Sequence, residues 1–177
     1  MDTRDILTSI GLFLAFVGGC VALFNARQAV LWKRAELANN YLKELTSDDV
    51  LVFACRALDW DVGRLAVPRA LIPLLPDKAD YIIHDEEVLK SAMPAQMDLD
   101  DLMRDPRLQL YRTAMDSLLS WMSIVSNALK RNLCGPGDIR EIAYWVDVIE
   151  DAGFLEPFID EYGYRESQTR LRQAFAR

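Results

Sequence analysis

The hydrophobic pattern is most extreme at the start of the chain. From Ile6 to Phe24 no charge occurs, and Thr8 and Ser9 can return their hydroxyl bonds to the carbonyls of their own helix. At the helical rise the run is about 28 Å long, which matches the hydrocarbon core of a bilayer. A helix apolar on every face would otherwise need a soluble core around all of it, and the remaining ~130–150 residues could barely supply one. A single transmembrane helix is expected.

Past the run, the period changes but helix persists. Between Asn25 and Thr46 there is no Pro or Gly, and Ala, Leu, Lys, Glu and Arg predominate, so the span should continue as one long helix. Leu31, Ala35, Ala38, Leu42 and Leu45 step by four and three, the spacing of a coiled-coil seam or of a face packed on the protein's own domain. Ser47-Asp48-Asp49 reads as a stop followed by a new N-cap, opening a short helix over Val50 to Leu58.

A proline-punctuated stretch follows, in which Arg64–Val67 and Tyr81–Ile83 could pair as a minimal hairpin. Asp85-Glu86-Glu87 should open another short helix, its acids placed where the helix dipole favours them. Met97 to Met103 reads as an acidic connector. Asp105-Pro106 is an N-cap with proline at the first helical position, and it starts the longest helix of the domain. The core stripe of that helix is Leu108, Tyr111, Met115, Leu118, Leu119, Met122, Val125 and Leu129, with a stop at Lys130-Arg131 and Cys134-Gly135-Pro136. Asp138 is expected to cap the next helix, with Ile139, Ile142, Ala143, Val146 and Ile149 inward. Two short helical pieces flank Gly163. The fold class expected is mainly α: an anchor over 1–26, a juxtamembrane helix over 27–46, and a small helical bundle over 47–177 with at most a minimal hairpin.

Three readings compete for the apolar run. A cleaved secretory signal is disfavoured by Asp2 and Asp5 against Arg4, and by the lack of a small-x-small cleavage site. Val17-Gly18-Gly19-Cys20 has the form of a lipobox, but Val21-Ala22-Leu23-Phe24 continues the apolar run past the cysteine. An uncleaved anchor fits best. Arg27, Lys33 and Arg34 follow the span and only Arg4 precedes it, which places the C-terminal side in the cytoplasm, with Trp32 as an interfacial aromatic. Gly11, Ala15 and Gly19 form a row at spacing four, with Gly18, Ala22 and Ala26 beside it. Rows of small residues let helix backbones approach closely in lipid.

Composition narrows the chemistry. The chain has net charge −7, and acids outnumber bases more strongly still over residues 47–177, which disfavours nucleic acid as a partner. Lys130-Arg131 and the tail bases Arg165, Arg170, Arg172 and Arg177 are the only concentrations; the tail reads as a solvated helix face. The three cysteines, Cys20, Cys55 and Cys134, lack metal-type spacing, and an odd scattered count suits a reducing compartment. His84 is the one histidine. Its acidic neighbours Asp85, Glu86 and Glu87 point to different sides of a strand or helix, so they do not converge as metal ligands. No G-x-S-x-G, P-loop or G-x-G-x-x-G occurs. Ribonucleases of the HEPN type carry an Arg a few positions before a His; here Asp77, Lys78 and Ala79 fill that window. No cofactor, metal or catalytic residue is expected.

Trp32-Lys-Arg-Ala-Glu36 after a single span, then Ala57-Leu-Asp-Trp60, Tyr81-Ile-Ile-His84, Tyr144-Trp145 and Phe158-Ile-Asp-Glu-Tyr162-Gly163-Tyr164, resemble a widespread family of small bacterial single-span membrane proteins of unknown function. That resemblance implies a bacterial inner membrane and this architecture. The plan is also similar to that of the membrane accessory protein of some RNA-targeting CRISPR systems, which assembles into a ring-shaped pore. Two functions follow as expectations. In one, the chain is a non-enzymatic homo-oligomeric scaffold or pore in the membrane, with a setting in phage defence. In the other, it is an accessory subunit of a larger membrane complex whose acidic domain binds a protein.

Overall fold

The computed structural model describes residues 3–60 and 62–176, with side chains from residue 10 onward except those of residues 99 and 103. The side chains of Arg4, Thr8 and Ser9, and the whole of Arg177, lie outside the described residues. The protein is mainly helical: one long N-terminal helix, then a small bundle and a two-stranded antiparallel hairpin.

Helix α1 runs unbroken over Thr3–Ser47. Its stretch from Ile10 is long and apolar enough to cross a membrane, with mean hydropathy 1.7 and none of that window buried. Its last part belongs to the domain instead. Ala38 and Leu45 are core residues, with Tyr41 and Leu42 packed half-buried against the same core. The seam of sequence spacing is thus divided. Ala38, Leu42 and Leu45 are used inside the domain, while Leu31 and Ala35 stay exposed. The juxtamembrane helix and the bundle therefore share one core, across the boundary expected at residue 47.

Asp48 ends α1 and starts α2 (Asp49–Asp59), its carboxylate accepting from the backbone amides of Val50 at 2.8 Å and Leu51 at 3.1 Å. An extended capping residue with a short acceptor satisfies donors the first helical turn cannot. α2 buries Leu51, Phe53, Ala54, Cys55 and Ala57. The hairpin pairs β1 (Val62–Ala66) with β2 (Tyr81–Asp85), Arg64 opposite Ile83 and Gly63 opposite His84. Alternation turns Leu65, Ile82 and His84 inward and leaves Val62, Arg64, Tyr81 and Ile83 outside.

Asp85 caps α3 (Glu86–Ser91) through the Glu87 amide at 3.0 Å. The stretch expected as an acidic connector is instead a helix, α4 (Leu99–Arg104). Asp98 accepts from the Asp100 amide at 3.2 Å, and Asp100 and Asp101 sit in the first turn, where the helix dipole stabilises negative charge. α5 (Pro106–Lys130) is the spine, capped by Asp105 with Pro106 at its first position. α5 stops at Lys130-Arg131 as expected, but Gly135 is not what ends it. Asn132, at φ +56°, takes the left-handed position, and the Leu133 amide donates back to the Ala128 carbonyl at 2.9 Å. Asn supplies the turn before Gly135 is reached.

Asp138 does not cap the next helix. Its carboxylate accepts from the Gly135 amide at 2.7 Å across a 3-10 turn (Pro136–Ile139), and α6 (Ile142–Asp151) starts later without a side-chain cap. After a further 3-10 turn (Gly153–Leu155) come α7 (Glu156–Glu161) and α8 (Arg165–Phe175), with Gly163 at φ +74° between them. The Tyr164 amide donates to Ile159 O at 2.9 Å, which closes α7 as Leu133 closes α5.

Candidate functional site

The domain has two distinct ends, and the direction of its helices defines them. Arg34 of α1 donates to the Asn132 carbonyl beyond the end of α5 at 2.9 Å. Further along α1, Glu44 accepts from the Trp121 indole at 3.1 Å, and Tyr41 meets the Trp121 ring edge-on at 6.4 Å. α1 and α5 are therefore antiparallel, and the C-terminal end of α5 points back toward the apolar half of α1. α8 lies along α5 in the other sense. Tyr164 bonds Ser120 and Asp116, both at 2.7 Å, while Ser126 reaches Ser167 and Arg170 reaches Ser126 further toward the apolar half. The hairpin sits near the start of α5, roughly 30 Å from Asn132 along the helix axis.

At the proximal end, Gly11, Ala15, Gly18, Gly19 and Ala22 are exposed, and a Cβ added at any of the three glycines would meet nothing within 4 Å. Trp32 (75% exposed) and Arg27 and Lys33 stand free of the domain, whereas Arg34 is half-buried against it.

At the distal end lies His84, 1% exposed. Its Nδ1 is 2.8 Å from the Tyr111 hydroxyl, and Tyr111 stacks on Phe53 at 5.8 Å. Burial pushes the Tyr111 phenol up to about 12, against an opposing pull from the Asp85 backbone amide. The phenol therefore keeps its proton, and it shares with Nδ1 one hydrogen bond in which either atom can be the donor. Nε2 is buried without a partner among the described residues. Asp85, Glu86 and Glu87 are not part of this arrangement: Asp85 caps α3, and the two glutamates pair with Lys90 at 3.1 and 3.0 Å.

The two buried thiols, Cys55 and Cys134, are not activated as nucleophiles. Burial pushes Cys55 up to about 12 with help from the Asp59 charge, and burial also raises Cys134. Among the described residues no group of three or more His, Cys, Asp and Glu could hold a metal ion.

Outside the hairpin, Val62 is 80% and Ile83 70% exposed, with Tyr81 and Trp60 also open to solvent. Arg64 lies over the Tyr81 ring at 4.1 Å. An apolar cleft of about 490 Å³ continues this surface beside β2, between Leu75, Pro76, Ala79 and Pro106. Contiguous exposed apolar surface of this kind marks interaction sites in soluble domains.

Sequence reasoning did not find Arg112. Its guanidinium donates to the Ala92 and Pro94 carbonyls at 2.9 Å and to the Tyr162 hydroxyl at 2.9 Å, and it lies over the Phe158 ring at 4.8 Å. It ties the loop after α3 to α7. An Arg inside an apolar helical stripe was the only local signal. The chain matches no protein-family model, no curated protein and no solved structure.

Proposed function

We propose that this is a non-enzymatic, single-span membrane protein of the bacterial inner membrane, with its helical domain in the cytoplasm, that works as a homo-oligomeric scaffold or pore. One observation carries the reading. α1 is a single unbroken helix whose first part is apolar and exposed and whose last part is built into the domain core. A span joined this way transmits position and rotation directly, so packing between spans would set the arrangement of the domains. Gly11, Ala15 and Gly19 leave open space for that packing. His84 locked against Tyr111 and the raised Cys55 thiol support a binding role over a catalytic one.

With Ala38, Leu42 and Leu45 used internally, Leu31 at the membrane boundary and Ala35 just past it remain for contact between copies. The test is the particle mass of the detergent-extracted protein, with Gly11→Leu combined with Gly19→Leu as the perturbation. Wild type should form one discrete multimer and the double variant a monomer. A multimer of unchanged mass in the variant would refute the packing row.

The exposed distal surface of Val62, Ile83 and Tyr81 favours the second reading, an accessory subunit that binds a protein partner. A wild-type monomer carrying other chains from native membranes would move the assignment there.

A further inference from the structure

The proximal end of the domain carries a cleft of about 360 Å³ whose described lining includes Arg34, Lys130 and Arg170 and no Asp or Glu. In a chain of net charge −7, a concave surface whose charged lining residues are all basic favours an anion. Three elements build it: α1 supplies Arg34, the end of α5 supplies Lys130, and α8 supplies Arg170. Acid acts from outside the lining. Glu166 pairs with Arg170 and stands 3.7 Å from Lys130, and Asp138 acts across Cys134. Arg34 is bound only to a backbone carbonyl, so its charge is uncompensated by a described carboxylate.

The helix through the cleft fixes its height above a bilayer. Past Arg27, the side chains of Val30, Leu31 and Trp32 are apolar and exposed, which leaves them uncovered by the domain. Measured from Ile6, where the apolar run begins, a span ending at Leu31 is roughly 39 Å of helix. It crosses a hydrocarbon core of about 30 Å at a tilt of about 40°, the steep end of the usual range. Arg27 then snorkels along its own stem. Arg34 lies only about 3–5 Å beyond Trp32 along the axis, within the headgroup layer. Exposed Arg131 and Leu133 flank the same cleft on the turn that Arg34 grips.

We propose that this cleft binds the headgroup phosphate of an anionic phospholipid from the bilayer that α1 crosses. The inference rests on the reading of α1 as a span. It adds a specific lipid site that fixes the depth of the domain, and it explains why bases cluster at one end of an acidic protein.

The test uses the full-length chain reconstituted in vesicles of phosphatidylcholine with a minor share of phosphatidylglycerol. Native mass spectrometry then counts the lipids that stay bound. Wild type should retain phosphatidylglycerol well above its share in the vesicle. Lys130→Gln, exposed and outside the core, and Gln173→Glu, which places an acid in the cleft without removing a described bond, should each lower that retention about fivefold.

Equal retention of the two lipids, or unchanged retention in both variants, would overturn the site. Loss of phosphatidylglycerol to millimolar inorganic phosphate would make it a free-phosphate site and overturn the lipid assignment. Alkaline carbonate separates the two levels of failure. Protein released from vesicles sinks the span and the lipid site together, whereas protein retained without lipid preference sinks the site alone.

Discussion

Cutting the chain ahead of Ser47 should remove part of the core of the domain, and the size of the loss follows from what α1 buries. Leu45 is buried and contributes about 2–3 kcal/mol; half-buried Tyr41 and Leu42 add roughly 1–1.5 each, and Ala38 about 1. The Glu44 bond to the Trp121 indole adds about 1 kcal/mol, and its loss leaves a part-buried donor unpaired. The total is about 6–8 kcal/mol, comparable with the whole stability of a domain this size, about 5–15 kcal/mol. Two fragments make the comparison, residues 33–177 and residues 47–177, both lacking the apolar run. The longer should unfold cooperatively in urea. The shorter should show no native baseline, because a loss of 6–8 kcal/mol at a slope of about 1–3 kcal/mol per molar moves the midpoint by several molar. Leu45→Ala in the longer fragment should fall between them, at about 2–4 kcal/mol. Equal midpoints for the two fragments would refute the shared core and, with it, the rigid coupling between span and domain.

Two further outcomes follow from the caps and the distal surface. Arg107 holds the Asp105 carboxyl below its ordinary value, chiefly through their side-chain hydrogen bond. A lowered folded value contributes stability that is present above the ordinary carboxylate range and lost as pH falls through the folded value. Asp105→Asn should therefore cost about 0.5–1 kcal/mol at pH 7, a figure reduced for partial exposure, with the gap to wild type closing below about pH 4 in urea titrations. A gap that is constant with pH would contradict the ion pair. At the far end, Val62→Asp with Ile83→Asp changes two exposed positions and should leave the thermal midpoint nearly unchanged. Any protein partner of the hairpin should be lost on co-purification, and full retention would exclude this face as its docking surface.

What could be read from the sequence was local. Asp48, Asp85 and Asp105 announce their helices because a cap bonds an amide two or three residues away, and Pro106 fixes its own φ. The hairpin was legible from its two short β-rich runs. The same cap signal was present at Asp98 but reads as part of an acidic connector, because the helix that follows is only six residues long and carries two acids in its first turn. Asp138 carried a cap signal too, but its amide partner is Gly135 behind it, so it braces a 3-10 turn. The Arg112 clamp joins segments 18 and 50 residues away, and no local pattern encodes such partners.

The seam of α1 shows why periodicity alone could not assign an interface. Spacing of four and three states that a helix has one apolar face; it does not state what covers that face. Here the cover changes along the helix. Lipid suits the stretch to Trp32, and the domain takes Ala38 to Leu45. Between them Arg34 is tied to the turn after α5. That handover sets how the molecule can act. A flexible tether would let the domain tumble and make the depth of its basic end irrelevant. A continuous helix holds Arg34, Lys130 and Arg170 at one end and the open hairpin face at the other. On the proposed reading of α1 as a span, its rotation would reappear as rotation of the hairpin, and a partner docked there would sense how spans pack.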